Sequence, residues 1–331
     1  MKRLVSLLVV VLALTSVHAE PPQPSTFSIV ACDTSTGEIG VAVASRFFGV
    51  GVVVPWAKAD VGAIATQSYA NTSFGWTALE LLESGLTPEE IRSVLIRTDD
   101  NPTRRQFGIV DAAGNSVTYT GDACLDWAGG RAGFGYAVQG NILAGEAVVV
   151  EMEKAWLQTK GTLAERLYSA LLAGEAAGGD ARGKQSAALV VAREGAGYGG
   201  YTDQAIDIRV DDHPEPFKEL GRLLDIAQVN YTWNIAWTAF TENRFDDARV
   251  PMEKAAELAP HNGEVWYDLS VIRLANGDVD GSYEALEKAL ELNPKLVDAA
   301  VVDEDFLMIK EDDRFLDLTG SIKMEMQKET K

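Results

Sequence analysis

The chain is 331 residues long, 47% hydrophobic and 24% charged, with a formal net charge of −20. That length is enough to bury a core and to hold two domains. The acidity, heaviest in residues 211–331 with 27 acids against 13 bases, argues against nucleic acid and anionic lipid as partners, since both call for a basic surface.

Lys2 and Arg3 precede an apolar run from Leu4 to Leu14, and Val17-His18-Ala19 supplies a small-residue cleavage site. Residues 1–19 therefore read as a secretory signal peptide rather than a membrane span, for which the run is too short. Export to a periplasmic or extracellular compartment is expected, with no membrane attachment after cleavage. Residues 20–25 form an extended linker, because its three prolines fix φ and bias their predecessors away from helix. Cys32 and Cys124 then meet an oxidising compartment, where they either pair or stay as two buried thiols.

From Thr26 to Asp33 and from Gly37 to Arg46 run two Val/Ile/Phe-rich stretches separated by Asp33-Thr34-Ser35-Thr36-Gly37, a turn-forming cluster. This predicts a β-hairpin. Strands are expected over 49–54 and 61–66, on either side of Pro55-Trp56-Ala57-Lys58. A helix follows over 75–83, and another starts at Thr87, where Pro88 suits the first helical position and Glu90 completes a capping box. Residues 107–111 and 116–120 form a second hairpin. The stretch 121–145 is rich in glycine, which lets backbone approach a ligand closely or merely connects strands; Gln139-Gly140-Asn141 offers amides there. Helices are predicted over 148–156 and 162–174, and strands over 186–192 and 205–210.

Beyond Asp211-Asp212-His213-Pro214-Glu215-Pro216 the chain becomes helical and repetitive. Residues 252–260 recur as 286–294, a shift of 34, and the pattern resembles tetratricopeptide repeats. Two clear units need capping by neighbouring segments. Residues 217–331 are expected to be an all-α repeat domain that offers a groove to a protein or peptide, or else a stabilising or dimerising appendage; a homo-oligomer is left open.

Several mechanisms are excluded on composition. Past the signal segment the only histidines are His213 and His261, too few for a Ser-His-Asp triad or a histidine-rich metal site. No P-loop occurs, the glycine cluster at 195–200 lacks the strand–helix setting of a dinucleotide fingerprint, and neither cofactor nor metal is expected.

Thr26-Phe27-Ser28-Ile29-Val30-Ala31, the strand 40–46, Val54-Pro55-Trp56-Ala57-Lys58-Ala59, Ala65-Thr66-Gln67 and Val138-Gln139-Gly140-Asn141 closely resemble domain of unknown function 1028, over residues 26–215. That family is placed among the N-terminal-nucleophile (Ntn) hydrolases. The resemblance implies an α+β fold, a four-layer αββα sandwich over residues 26–212, and a hydrolase acting on a small amide or peptide-like substrate. A terminal threonine carries its own base, an α-amine of pKa about 7.7–8.0. By resemblance Thr26 is the nucleophile, Lys58 or Arg46 supplies positive charge, and Asp33, Asp180 and Ser186 order the terminus. Amides near Thr66 and Gln67, or the Asn141 side chain, hold the oxyanion, a contribution of about 3 kcal/mol per donor. Cleavage after Ala19 leaves Thr26 internal, so this chemistry requires a second cut. The alternative is a non-catalytic scaffold whose repeats bind cell-envelope proteins or peptides.

Overall fold

The computed structural model describes residues 26–329; the signal peptide and linker expected over residues 1–25 lie outside the described residues. Strands β1 (Thr26–Asp33) and β2 (Glu38–Ser45) form the expected hairpin, in register from Thr26 opposite Ser45 to Asp33 opposite Glu38. Gly37, at φ 74°, takes the left-handed turn position that favours glycine.

A helical turn, α1 (Val50–Val53), comes next, then strands β3 (Pro55–Lys58) and β4 (Gly62–Ser68) and helices α2 (Ser73–Glu83) and α3 (Pro88–Thr98). The strand expected over 49–54 is thus replaced by α1, and the strand lies at 55–58. A left-handed Gly49 and two tertiary contacts override the β propensity of the valines: Gly49 N–H donates to Asp211 O, and Val50 N–H donates to Ser186 Oγ. The capping box at α3 forms as its sequence dictates, with Thr87 and Glu90 each accepting from the other's backbone N–H.

Strands β5 (Arg105–Asp111) and β6 (Ser116–Thr120) make the second hairpin. The glycine-rich stretch then forms two strands, β7 (Gly129–Gly133) and β8 (Tyr136–Asn141). Helices α4 (Ala147–Gln158) and α5 (Leu163–Ala176) and strands β9 (Ser186–Ala192) and β10 (Gln204–Val210) complete this part. One sheet has the order β10-β9-β2-β1-β8-β7, and the other β3-β4-β5-β6.

Alternation along β1 sets the layers, because successive side chains face opposite ways. Phe27, Ile29 and Ala31 pack against Met152, Trp156, Leu163, Leu167 and Leu171 of α4 and α5. Val30 and Cys32 face the second sheet and meet Ala63, Ala65 and Val110. On that sheet's far side Ile64, Phe107 and Ile109 pack under Ile91 and Leu95 of α3. Helices, sheet, sheet, helices is the αββα order. Cys32 and Cys124 are separate buried thiols, and burial, ahead of the nearby Asp111 and Asp33, pushes Cys32 up to about 11.

The rest is helical: α6 (Pro216–Thr241), α7 (Phe245–Leu258), α8 (Gly263–Ala275), α9 (Val279–Leu292), α10 (Leu296–Val302) and α11 (Asp313–Glu329). The 34-residue shift superposes α7 on α9, and places buried Ala248 and Ser282 in equivalent inter-helix positions. No helix among the described residues is long and apolar enough to cross a membrane.

The two parts share α6. Phe217, Leu220 and Leu224 belong to the sandwich core, with Phe217 stacked on Phe27 at 6.1 Å, whereas Ala236 and Ala239 belong to the repeat core. The boundary drawn between 212 and 217 therefore falls ahead of a helix whose first half completes the sandwich. Replacing Leu224 by Ala should cost about 2–5 kcal/mol and lower the urea midpoints of sandwich and repeats together. Hydrogen exchange resolved by segment checks this, and an unchanged repeat transition would show that α6 does not couple them.

Candidate functional site

The polar end of the inter-sheet space begins with the same alternation. Thr26 and Ser28 share the inward face of β1 with Val30 and Cys32, so the space between the sheets is apolar at one end and lined by hydroxyls and amides at the other. Register places Thr26 between Asn141 on β8 and Ser45 on β2, and Ser45 next to Ser186 on β9. Four polar side chains thus cross four neighbouring strands in one row. The Thr26 hydroxyl donates to Ser45 Oγ at 3.2 Å, and Thr26 is fully buried.

Behind this row lies a buried network of amides. Gln67 on β4 donates from Nε2 to Thr26 O at 3.2 Å and to Gln106 Oε1 at 2.8 Å, and its Oε1 accepts from Ser28 Oγ at 2.5 Å. Gln106 on β5 donates to Gly140 O at 2.7 Å and Thr120 Oγ1 at 2.9 Å, and accepts from Asn141 Nδ2 at 2.9 Å. Gln139 donates to Ser28 Oγ at 2.7 Å, while its Oε1, also buried, finds no partner among the described residues. Gly108 makes room for it: a Cβ there would lie 2.1 Å from Gln139 Oε1. The network spans both sheets and fixes the backbone of Thr26 from below.

Asp180 fixes the rim. Its carboxylate accepts from the backbone N–H of Arg46 at 2.7 Å and of Arg182 at 2.9 Å, and from the Arg182 guanidinium at 3.1 and 3.2 Å. These bonds tie the loop before β9 to the end of β2. Arg46 reaches along the same loop to Gln185 Oε1 at 2.8 Å. Ser186 Oγ donates to Phe47 O and accepts from Val50 N–H, so it shapes the turn after β2 rather than contacting Thr26.

The structure therefore brings Thr26, Gln67, Gln139, Asn141, Arg46, Asp180 and Ser186 to one end of the sandwich, and three expected residues depart from it. Asp33 ends β1, seven residues from Thr26 or about 23 Å at the strand rise; it binds Ser35 N–H and hydroxyl and faces Arg166 at 3.8 Å. The Ser35 hydroxyl, chiefly, holds its carboxyl below the usual range. Lys58 stands opposite Gly62, five residues or about 17 Å along β4 from Gln67, and pairs with Glu83 on α2 at 2.7 Å. It lies at the far end of the β3–β4 hairpin, so it supplies no charge to Thr26. Thr66 points to the helix-covered face, its hydroxyl on Asn71 O and its N–H on Val54 O, which removes that amide as an oxyanion donor. Gly140 is a packing position, since a Cβ there would lie 2.5 Å from the Leu143 side chain.

Ser45, Ser28, Gln106 and Arg182 join the site without having been expected. A signal for three of them lies in the strands: polar side chains at inward positions of otherwise apolar runs. The chemistry on offer is a hydroxyl in a row of polar groups, with its carbonyl clamped and no ionisable base hydrogen-bonded to it among the described residues.

Fold and site define a two-sheet α+β sandwich carrying a strand-end threonine, followed by helical repeats. The chain belongs to a family of unknown function, DUF1028, whose description matches residues 26–220. Residues 239–302 match the tetratricopeptide repeat. Among solved structures, protein SPO2555 from Silicibacter pomeroyi, of the same DUF1028 family, is 30% identical with a TM-score of 0.57, and the match covers 62% of this chain and 89% of that one. No curated protein matches.

Replacing Gln106 by Leu should cost about 1–3 kcal/mol for each buried group left unpaired, foremost the Gly140 carbonyl. A urea midpoint equal to that of the unaltered protein would show that the network contributes nothing.

Proposed function

We propose that the protein is an exported amidohydrolase of the Ntn type, latent until the chain is cut before Thr26. The observation that carries this reading is the position of Thr26: first residue of a central strand, hydroxyl inward between Ser45 and Asn141, carbonyl held by Gln67. Such a hydroxyl needs a base, and hydrolysis of the Ser25–Thr26 peptide bond would create one in the freed α-amine. The freed amine would take the Thr26 Oγ1 proton as that oxygen attacks an amide carbonyl. Asn141, in register with Thr26, would turn its amide to the oxyanion as donor. Collapse of the tetrahedral intermediate expels the amine, which takes back the proton held on the Thr26 α-ammonium, and water attacking the Thr26 ester then releases the acyl group as a carboxylic acid. Arg46 and Arg182, fixed through Asp180, favour a substrate carrying negative charge or a carboxylate near the scissile amide.

A second reading has its own support. Tetratricopeptide repeats suggest protein interaction, and Thr26 as an internal, fully buried residue is a structural hydroxyl. On that reading the sandwich is a scaffold for the repeats.

N-terminal sequencing and intact mass of the protein recovered from its exported compartment separate the two. If Thr26 is the terminus, amide hydrolysis should be measurable and Thr26→Ala should lower it by about 10³-fold or more, with an unchanged urea midpoint. A protein that begins at Thr26 and hydrolyses no amide, or one whose turnover survives Thr26→Ala, overturns the hydrolase reading.

A further inference from the structure

Where the sandwich meets the repeats, a cavity of about 380 Å³ is lined by Tyr198, Asn230, Trp233, Asn234, Trp237 and Asp268, a volume within the ordinary range for ligand sites. Two of its walls come from one repeat rule. Asn234 on α6 and Asp268 on α8 stand 34 residues apart, so the same helical position of successive repeats faces the same space. The third wall comes from the sandwich. Asn234 accepts from Gly199 N–H at 3.0 Å and donates to Gly197 O at 2.8 Å and Ala196 O at 3.3 Å, which docks the loop after β9 on α6 and holds Tyr198 at the cavity mouth. Tyr198 is 90% exposed and Trp237 37%, a large aromatic surface for neighbouring side chains to present to solvent.

Asp268 gives the cavity its charge. Trp233 Nε1 donates to Oδ2 at 2.7 Å, and no hydrogen bond is formed by Oδ1 among the described residues. The charged groups that act on it most strongly are acids: Glu264 on α8, and Asp303 and Asp305 in the segment after α10. Asp303 is itself engaged by the Tyr267 hydroxyl at 2.7 Å. Burial first, then these neighbours, pushes the Asp268 carboxyl up to about 6 against the opposing Trp233 bond. Among the described residues no ion pair is formed by that carboxylate, and aromatic rings attract a cation through their faces.

We propose that this cavity takes the lysine or arginine side chain of a basic peptide segment of a partner protein, with Trp233, Trp237 and Tyr198 as aromatic walls and Asp268 as counter-charge. Charge complementarity selects a basic peptide over a neutral ligand, because Glu264, Asp303 and Asp305 lie close enough to Asp268 to act on its charge and the region 211–331 carries 27 acids against 13 bases. The inference rests on the interaction role of the repeats and is independent of hydrolysis at Thr26, so the two stand or fall separately. A bound cation favours the ionised carboxylate, so affinity should be full at pH 7 and should fall as pH drops below about 6.

The test uses the full chain and titration calorimetry with glycine-flanked pentapeptides carrying arginine, lysine or the neutral citrulline at the centre, and with tetramethylammonium. The arginine and lysine peptides should bind saturably and the citrulline peptide at least about tenfold more weakly. Asp268→Asn, which keeps an acceptor for Trp233, should weaken binding about tenfold, and Tyr198→Ala, an exposed position, about threefold. Both variants should keep the urea midpoint. Equal binding of the citrulline peptide, or binding unchanged in both variants, overturns the proposal. Tetramethylammonium binding more tightly than either peptide also overturns it, assigning the cavity to a free ammonium ion.

Discussion

The Gln67 side chain is the interaction on which the polar end of the sandwich depends. Two sheets packed through valines and alanines need no orientation beyond shape, but a buried amide left unpaired costs more than a formed bond returns, so its partners must be present together. Gln67 reaches from the second sheet to the Thr26 carbonyl, the Ser28 hydroxyl and Gln106, all on inward positions. These bonds fix how the two sheets slide over one another at that end. They also fix Thr26, whose hydroxyl then has Ser45 as its neighbour. Polar groups that a core would ordinarily exclude are here what gives the core its register.

Much of this fold was legible in local patterns. The hairpin at 26–46, the capping box at Thr87 and the repeat period each follow from short-range chemistry, and each formed in place. The failures have a common cause in long-range contact. Val50 to Val53 have strand-forming side chains, but Ser186 and Asp211, far along the chain, hold the start of that segment as a helical turn. Residues 129–141 lack bulk, so their strands are invisible to a pattern that counts valines; they exist because Gly108 and Gly130 let facing backbone and amides come close. The site shows the same division. Thr26, Gln67 and Asn141 were found through family resemblance, while Asp33 sits at the opposite end of the Thr26 strand and Lys58 pairs with the opposite end of the Gln67 strand, a distinction that only register makes.

The family match ends at residue 220 and the repeat match begins at 239, yet the chain between them is one helix. Its first turns cover Phe27 and the edge of the larger sheet, and Tyr231 farther along bonds Glu38 on β2 at 3.0 Å. Its last turns supply the first layer of the repeats. The loop carrying Tyr198 is held against it by Asn234. The seam between the two parts is therefore packed and hydrogen-bonded along its length, where a flexible linker would leave them to move apart.

A continuous helix of 26 residues is about 39 Å long at 1.5 Å per residue, and it behaves as a beam. Helices of this length curve only gently unless a kink-forming residue interrupts them, so the first repeat layer is held at a nearly fixed distance from the sheet edge. The placement of the repeats is consequently set by how Phe217, Leu220 and Leu224 pack on the sandwich.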